Sequence, residues 1–226
     1  DIHRIGIVTF GSSASKVLDF TGNVNQINTA IDNLRSDGGT NTAAGLQMAK
    51  ELADSVTNED HKKYVIFLTD GVPTYGGGDD TGNGFSCYAG DYNAAVDEAN
   101  NLKNSVNGIY TVGLLNGMSE GSRELDIARR LLAAPADSGH YVEGYTACHK
   151  VHGTGSLEDD RIWWDNTDKT YSSGYFEILE TEGSENALKA IWEQLAAIIN
   201  NETAGSTGDG WVVTDSMADY TNFISL

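Results

Sequence analysis

The sequence is poor in basic residues, proline and cysteine, and it has no long hydrophobic run. Its 226 residues include 14 Lys and Arg against 33 Asp and Glu, which gives a formal net charge of −19. So acidic a chain argues against a phosphate-binding surface. The longest apolar stretches, such as residues 64–68, fall far short of the roughly 20 residues that a membrane-spanning helix needs. We therefore expect neither nucleic-acid binding nor membrane insertion.

The sequence contains two cysteines, Cys87 and Cys148. They could form one disulfide that closes a long loop, which would suit an oxidising compartment, or they could remain two unpaired thiols. The 26 glycines cluster in loops without a repeating period. Collagen-like and solenoid architectures are therefore excluded.

Strand-like and helix-like apolar patterns alternate along the chain. Short apolar runs predict strands at 4–10, 16–20, 64–68, 109–115 and 175–179. Apolar residues at helical spacing predict helices near 24–34, 46–56, 95–106, 125–132 and 188–199. This alternation predicts a Rossmann-like, doubly wound α/β fold, with a mostly parallel sheet and helices on both faces. Functional sites in such folds lie at the carboxyl ends of the strands.

Two polar motifs fall where this fold would place a site. Gly-Gly-Thr-Asn-Thr at residues 38–42 opens the second helix, and Asp70 follows the strand at 64–68. A hydroxyl at Thr40 and a carboxylate at Asp70 could approach one hard cation, which prefers oxygen ligands. Each motif also has a simpler interpretation, since Thr40 or Thr42 can cap a helix and Asp-Gly commonly forms a turn.

In this combination and order, the motifs resemble the von Willebrand factor type A (vWA) family, which includes the inserted domains of integrins and many bacterial surface adhesins. The resemblance covers about residues 4–201 and includes Leu-Thr-Asp-Gly at 68–71 and the final amphipathic helix. It implies a metal-ion-dependent adhesion site, or MIDAS. There Mg²⁺, or Mn²⁺ or Ca²⁺, keeps an open position for an acidic group of a protein partner. Thr40 and Asp70 match two of its ligands.

The family's other three ligands come from an Asp-x-Ser-x-Ser motif at the end of its first strand, and this sequence lacks the motif. Residues 214–219 follow an apolar stretch, but Met217 and Asp219 stand where the serines are needed, so we expect no substitute there. The family's first strand lies mid-sheet, between those at 4–10 and 64–68. If no strand filled this position, each unsatisfied buried backbone group would cost about 1–3 kcal/mol. We expect an upstream segment, in preference to another chain, to supply this strand.

The last residues indicate a second domain. Residues 200–210 are polar and glycine-rich, and residues 211–220 are similar to the strand that follows the vWA domain in tip pilins and related adhesins of Gram-positive bacteria. The resemblance implies a vWA domain at 1–201, followed at 202–226 by a linker and the first strand of an immunoglobulin-like domain. It also implies an extracellular position at the bacterial cell surface or cell wall, in a pilus or related surface protein.

Three further signals are weaker. Asp79 and Asp80 could border the metal or contact a ligand, although they lack the oxygen spacing of an EF-hand. Trp163 and Trp164 could be exposed binding anchors, or at least one could pack in the core. Residues 148–152 contain three possible zinc ligands but have no second cluster to complete a zinc site.

No catalytic motif is complete. Residues 84–88 approach a nucleophile elbow, but Tyr88 stands where the final glycine is required. The sequence therefore predicts a non-enzymatic adhesion module that binds an extracellular protein ligand, beside neighbouring domains of the same surface protein. The alternatives are a structural stalk or spacer with a degenerate metal site and, ranked last, a metal-dependent hydrolase.

Overall fold

The structure, a computed structural model, describes residues 3–35, 38–76, 87, 89–133, 172–179, 183–203 and 211–216. Strands and helices alternate along these ranges, as predicted. In chain order they are β1 (Ile5–Phe10), β2 (Ala14–Thr21), α1 (Val24–Asp32), α2 (Thr42–Asp54), β3 (Tyr64–Thr69), α3 (Ala89–Lys103), β4 (Gly108–Leu114), α4 (Arg123–Ala133), β5 (Gly174–Ile178), α5 (Ser184–Thr203) and β6 (Trp211–Ser216).

The described strands form one sheet in the order β2-β1-β6-β3-β4-β5. β2 pairs with β1 in antiparallel fashion, and every other neighbouring pair is parallel. Because parallel neighbours require crossover connections, helices α2 to α5 run between the strands and cover the sheet. The predicted Rossmann-like, mostly parallel α/β fold is therefore confirmed.

β3 shows why helices must cover both faces of this sheet. All six of its residues are buried. Val65 and Phe67 pack in a core with residues of α2, α3 and α4, whereas Ile66 and Leu68 pack in a second core with residues of α5. The continuous apolar run is thus divided between two hydrophobic layers, as expected for a strand covered on both sides. None of the described helices combines the length and the apolar character that crossing a membrane requires.

β6 occupies the middle of the sheet, between β1 and β3. We predicted an outside segment at this position and a neighbouring domain for residues 211–216. In the structure, those residues themselves pair with both strands, from Ile5 and Tyr64 opposite Trp211 onward. The arrangement satisfies the inner edges of β1 and β3, whose backbone groups need partners. Residues 204–210 and 217–226 lie outside the described ranges, so a neighbouring domain beyond the strand stays a prediction.

Arg129 on α4 joins the helix to the sheet. It donates two hydrogen bonds of 2.9 Å to the carboxylate of Glu177 on β5, and two of 3.0 and 2.8 Å to that of Glu120. The side chains of Arg129 and Glu177 are 18% and 21% exposed, whereas that of Glu120 is 68% exposed. Glu177 and then Glu120 raise the pKa of Arg129, so the guanidinium stays charged.

Replacing Arg129 with methionine should lower the free energy of unfolding by about 2 kcal/mol, because the half-buried Glu177 carboxylate loses its charged donor. Glu120→Gln should have a much smaller effect, since the Glu120 side chain is largely in solvent. Urea denaturation of both variants measures the two effects. Equal losses would show that Glu177 is not the partner that matters for stability.

Tyr64 and Tyr110 lie side by side at the amino ends of β3 and β4, with ring centroids 6.4 Å apart. The Tyr110 hydroxyl donates a hydrogen bond of 2.8 Å to Glu202 Oε1 near the end of α5. Burial, and then the hydrogen bond and negative charge of Glu202, raise the pKa of Tyr64 to about 12. The same causes raise the pKa of Tyr110. This cluster anchors the last turn of α5 to the sheet.

The two tyrosines predict a loss of stability in alkaline solution. Unfolded tyrosine ionises near pH 10, whereas folded Tyr64 holds its proton to about pH 12. Because the folded state binds this proton more tightly, the stabilisation is complete below pH 10 and is lost as the pH rises through 12. Urea denaturation at stepped pH, with tyrosinate absorbance, measures this. The double variant Tyr64→Phe, Tyr110→Phe should show a smaller fall, and an unchanged fall would contradict the assignment.

Candidate functional site

Three loops meet at the carboxyl ends of β1 and β3. They are residues 11–13 after β1, residues 38–41 before α2, and residues 70–76 after β3. The middle loop is hydrogen-bonded to both of the others. This is the edge at which doubly wound sheets carry their sites, and it holds both of the motifs that the sequence singled out.

The loop before α2 is bonded to the turn after β1. The Asn41 N–H donates to the Gly11 carbonyl at 2.7 Å, and the Gly39 N–H donates to Ser12 Oγ at 3.0 Å. Gly38 has a φ of 79°, and a Cβ on it would lie 2.3 Å from Ser12 Oγ. A glycine is therefore required at this position, both for the backbone conformation and for the close approach of the two loops.

The same loop is bonded on its other side to the loop after β3. The Thr40 N–H donates to Thr74 Oγ1 at 2.7 Å, and the Thr40 carbonyl accepts from the backbone N–H groups of Thr74 at 2.8 Å and Tyr75 at 3.2 Å. Thr74 is buried. Three hydrogen bonds therefore fix the backbone of Thr40 against the segment that begins with Asp70.

The Thr40 hydroxyl lies near Gly71, the residue that directly follows Asp70. A Cβ built on Gly71 would be 3.9 Å from Thr40 Oγ1, and Gly71 directly follows Asp70. The hydrogen bonds found for Thr40 within the described residues use its backbone N–H and carbonyl. Its hydroxyl oxygen therefore remains available there to a ligand. The structure thus brings the two predicted site residues onto adjacent, mutually bonded loops.

Asn41 caps α2. Its side chain accepts a hydrogen bond of 3.1 Å from the Ala44 N–H. The alternative interpretation of Thr40 or Thr42 as the cap is therefore wrong. Thr42 is fully buried, and its hydroxyl has no hydrogen-bond partner among the described residues. An unsatisfied buried hydroxyl costs about 1–3 kcal/mol, so this end of the sheet offers more polar atoms than the loops themselves satisfy.

The family comparison concerns the part of the chain that contains these loops. Residues 1–72 match the von Willebrand factor type A domain family. The match covers β1 to β3 with α1 and α2, and it includes both Thr40 and Asp70. The comparison with curated proteins found no match. The chain therefore has a vWA-like region that carries the candidate site.

β6 occupies the position that the vWA resemblance assigns to the family's first strand. The register of β6 therefore decides whether Asp215 could take the place of the Asp-x-Ser-x-Ser motif. Asp215 lies opposite Leu68, two positions before Asp70, and Ser216 lies opposite Thr69. At about 3.3 Å per residue, the Asp215 backbone is about 6.6 Å short of the level of Asp70 along the strand. The register therefore gives no support to β6 as a replacement for the Asp-x-Ser-x-Ser motif.

The other predicted site residues are largely outside the described ranges. Cys87 is buried and disulfide-bonded. Its predicted partner is outside those ranges, so the pairing stays a prediction. The remaining members of the predicted set are Asp79, Asp80, Cys148, Trp163 and Trp164.

Within the described ranges, no group of three or more His, Cys, Asp and Glu residues is placed to hold a metal ion. The vWA-like loops therefore contribute one carboxylate residue, Asp70, and the hydroxyl of Thr40. Both are oxygen donors, which fits a hard cation such as Mg²⁺ that keeps several waters of its own. They do not fit a soft cation that needs thiolates or imidazoles.

The roles of three residues that shape the site were not predicted from the sequence. Asn41 could have been found, because asparagine directly before a helical pattern is a common cap. Ser12 and Thr74 carry no local signal of their role. Their partners, Gly39 and Thr40, lie 27 and 34 positions away in the chain, so only the folded arrangement shows the contacts.

Proposed function

We propose that the chain is a cell-surface adhesion module that binds an extracellular protein ligand through a divalent cation held in part by Thr40 and Asp70. The observation that supports this proposal is the position of the Thr40 hydroxyl, 3.9 Å from a Cβ built on Gly71, the residue after Asp70. The vWA-like match over residues 1–72 supports it, because protein interaction is what that resemblance implies.

The described residues would hold the ion in a fixed place. The three backbone hydrogen bonds of Thr40 fix its loop against Thr74 and Tyr75, so little conformational freedom is lost when an ion binds. Asp70 supplies negative charge, and the Thr40 hydroxyl supplies a neutral oxygen. When bound, Mg²⁺ offers an exchangeable position to an Asp or Glu carboxylate of the partner.

The net charge of −19 shapes the choice of partner. An acidic partner is attracted at the ion and repelled by the rest of the surface, and the repulsion is strongest when little salt screens it. We therefore propose a partner that presents one accessible carboxylate on a surface that is otherwise neutral or basic. The proposed setting is the outside of a Gram-positive cell.

Isothermal titration of the full chain with Mg²⁺ and with Mn²⁺ tests the proposal. Thr40→Val should lower the ion affinity by at least about tenfold, since altering even a second-shell partner of a metal commonly costs 10- to 100-fold. Thr29→Val is the matched control, because Thr29 is exposed on α1 and its hydroxyl donates to the Asn25 carbonyl within the same helix. Failure of the wild-type chain to bind either ion would reject the metal site.

A stalk or spacer with a degenerate metal site is the second candidate. The described residues favour it in one respect, because among them no group of three or more His, Cys, Asp and Glu side chains is placed to hold a metal ion. A stalk predicts an unchanged melting temperature on addition of Mg²⁺ or of a chelator, with the fold intact by circular dichroism. An adhesion module predicts a rise with Mg²⁺ that the chelator reverses.

A further inference from the structure

β6 fills a slot whose two walls are β1 and β3, here called the β1–β3 slot. It pairs with β1 from Ile5–Trp211 to Thr9–Asp215, and with β3 from Tyr64–Trp211 to Thr69–Ser216. Both ladders are parallel and run nearly the full length of β6. The strand is therefore held by backbone hydrogen bonds on each side, which any strand of the same direction and register could reproduce.

The chain connections allow β6 to leave this slot. β6 follows α5 through residues 204–210, and no described element follows it. β1 and β3 are joined to each other through β2, α1 and α2, without passing through β6. Withdrawal of β6 therefore requires no other described element to unthread. An empty slot, however, would expose two rows of unpaired backbone groups.

We propose that the β1–β3 slot is a strand-acceptor site, and that it also takes the 211–216 strand of a second copy of this chain. Among the strands that could enter, that of a second copy carries the sequence that the slot is seen to accept, in the same register. Reciprocal exchange leaves both slots filled, so a strand-exchanged dimer keeps the same β1–β6 and β3–β6 backbone pairings as the monomer. This inference does not depend on the ion.

The register supplies a direct test with the full chain. One sample carries Ile7→Cys and the other carries Val213→Cys, because these residues are partners across β1 and β6. The two samples are unfolded together, refolded at increasing protein concentration and oxidised. Strand exchange predicts a disulfide that joins an Ile7→Cys chain to a Val213→Cys chain. Its yield should increase with concentration, and mass spectrometry of the linked peptides identifies it.

Ser15→Cys mixed with Val213→Cys is the matched control, since Ser15 is exposed on β2, which does not pair with β6. The register pair should exceed this control severalfold, and no excess at any concentration would overturn the proposal. If Ile7→Cys fails to fold, the pair Thr9→Cys with Asp215→Cys replaces it in the same register. As an independent check, native mass spectrometry of co-refolded isotope-labelled and unlabelled wild-type chains should show mixed dimers. Monomers alone would also overturn the proposal.

Discussion

Asp70→Ala is expected to abolish Mg²⁺ binding by the full chain while leaving the fold intact. Asp70 directly follows β3 and is the only acidic residue of the three described loops, residues 11–13, 38–41 and 70–76. In the wild type, Mg²⁺ at 100 times its dissociation constant should stabilise the folded state by about 2.7 kcal/mol. Mg²⁺ should not stabilise the Asp70→Ala variant. Thermal unfolding with and without Mg²⁺ measures the difference.

Asp60→Ala is the control for this experiment. Asp60 is exposed and precedes β3, so it lies at the opposite end of the same strand. Asp60→Ala removes one negative charge, as Asp70→Ala does, but changes no residue of the three loops. A Mg²⁺ response that Asp60→Ala reduces as much as Asp70→Ala does would indicate diffuse attraction of the ion by the acidic surface. The proposed site would then be rejected.

Val213→Pro is expected to destabilise the chain by at least about 1–3 kcal/mol, or to prevent folding, because a ladder hydrogen bond of a central strand is lost. Val213 lies near the middle of β6 and pairs with Ile7 on one side and Ile66 on the other. Proline lacks the backbone N–H, and its ring disrupts a strand that has neighbours on both sides. Urea denaturation followed by circular dichroism measures the loss.

Val213→Thr is the matched variant, because threonine keeps both the backbone donor and a β-branched side chain. It should retain the cooperative transition that Val213→Pro loses. Equal stability of the proline variant and the wild type would show that β6 is not the central strand in solution. That result would remove the basis for strand exchange, but it would not touch the proposed ion site at Thr40 and Asp70.

The helices and strands could be predicted closely, because apolar periodicity reports burial directly. The strand predicted at 64–68 is found at Tyr64–Thr69, and the final helix, predicted near 188–199, is found at Ser184–Thr203. The place of residues 211–216 could not be predicted. A short Val-rich run has the same pattern in the centre of this sheet as in another domain, and the choice depends on which distant edges need partners.

Candidate site residues could be predicted only where they stand in a short local motif. Thr40 and Asp70 stand in short motifs at a helix start and a strand end, so the nearness of their two loops follows from the fold class. The contact between Thr40 and Thr74 does not, since nothing local distinguishes Thr74 from other loop hydroxyls. The sequence also left the helix cap open between Thr40 and Thr42, because neighbouring polar residues compete for that role, and Asn41 takes it.

The central position of β6 has a consequence for how the protein is made. Ile5 and its partner Trp211 lie near opposite ends of the printed sequence, so this pairing has a very high contact order. A ribosome delivers the N-terminal residues first. β6 can therefore join β1 to β3 only after residues 211–216 have left the ribosomal exit tunnel. Until residues 211–216 arrive, the facing edges of β1 and β3 are unpaired, and unpaired strand edges are prone to pair with other chains.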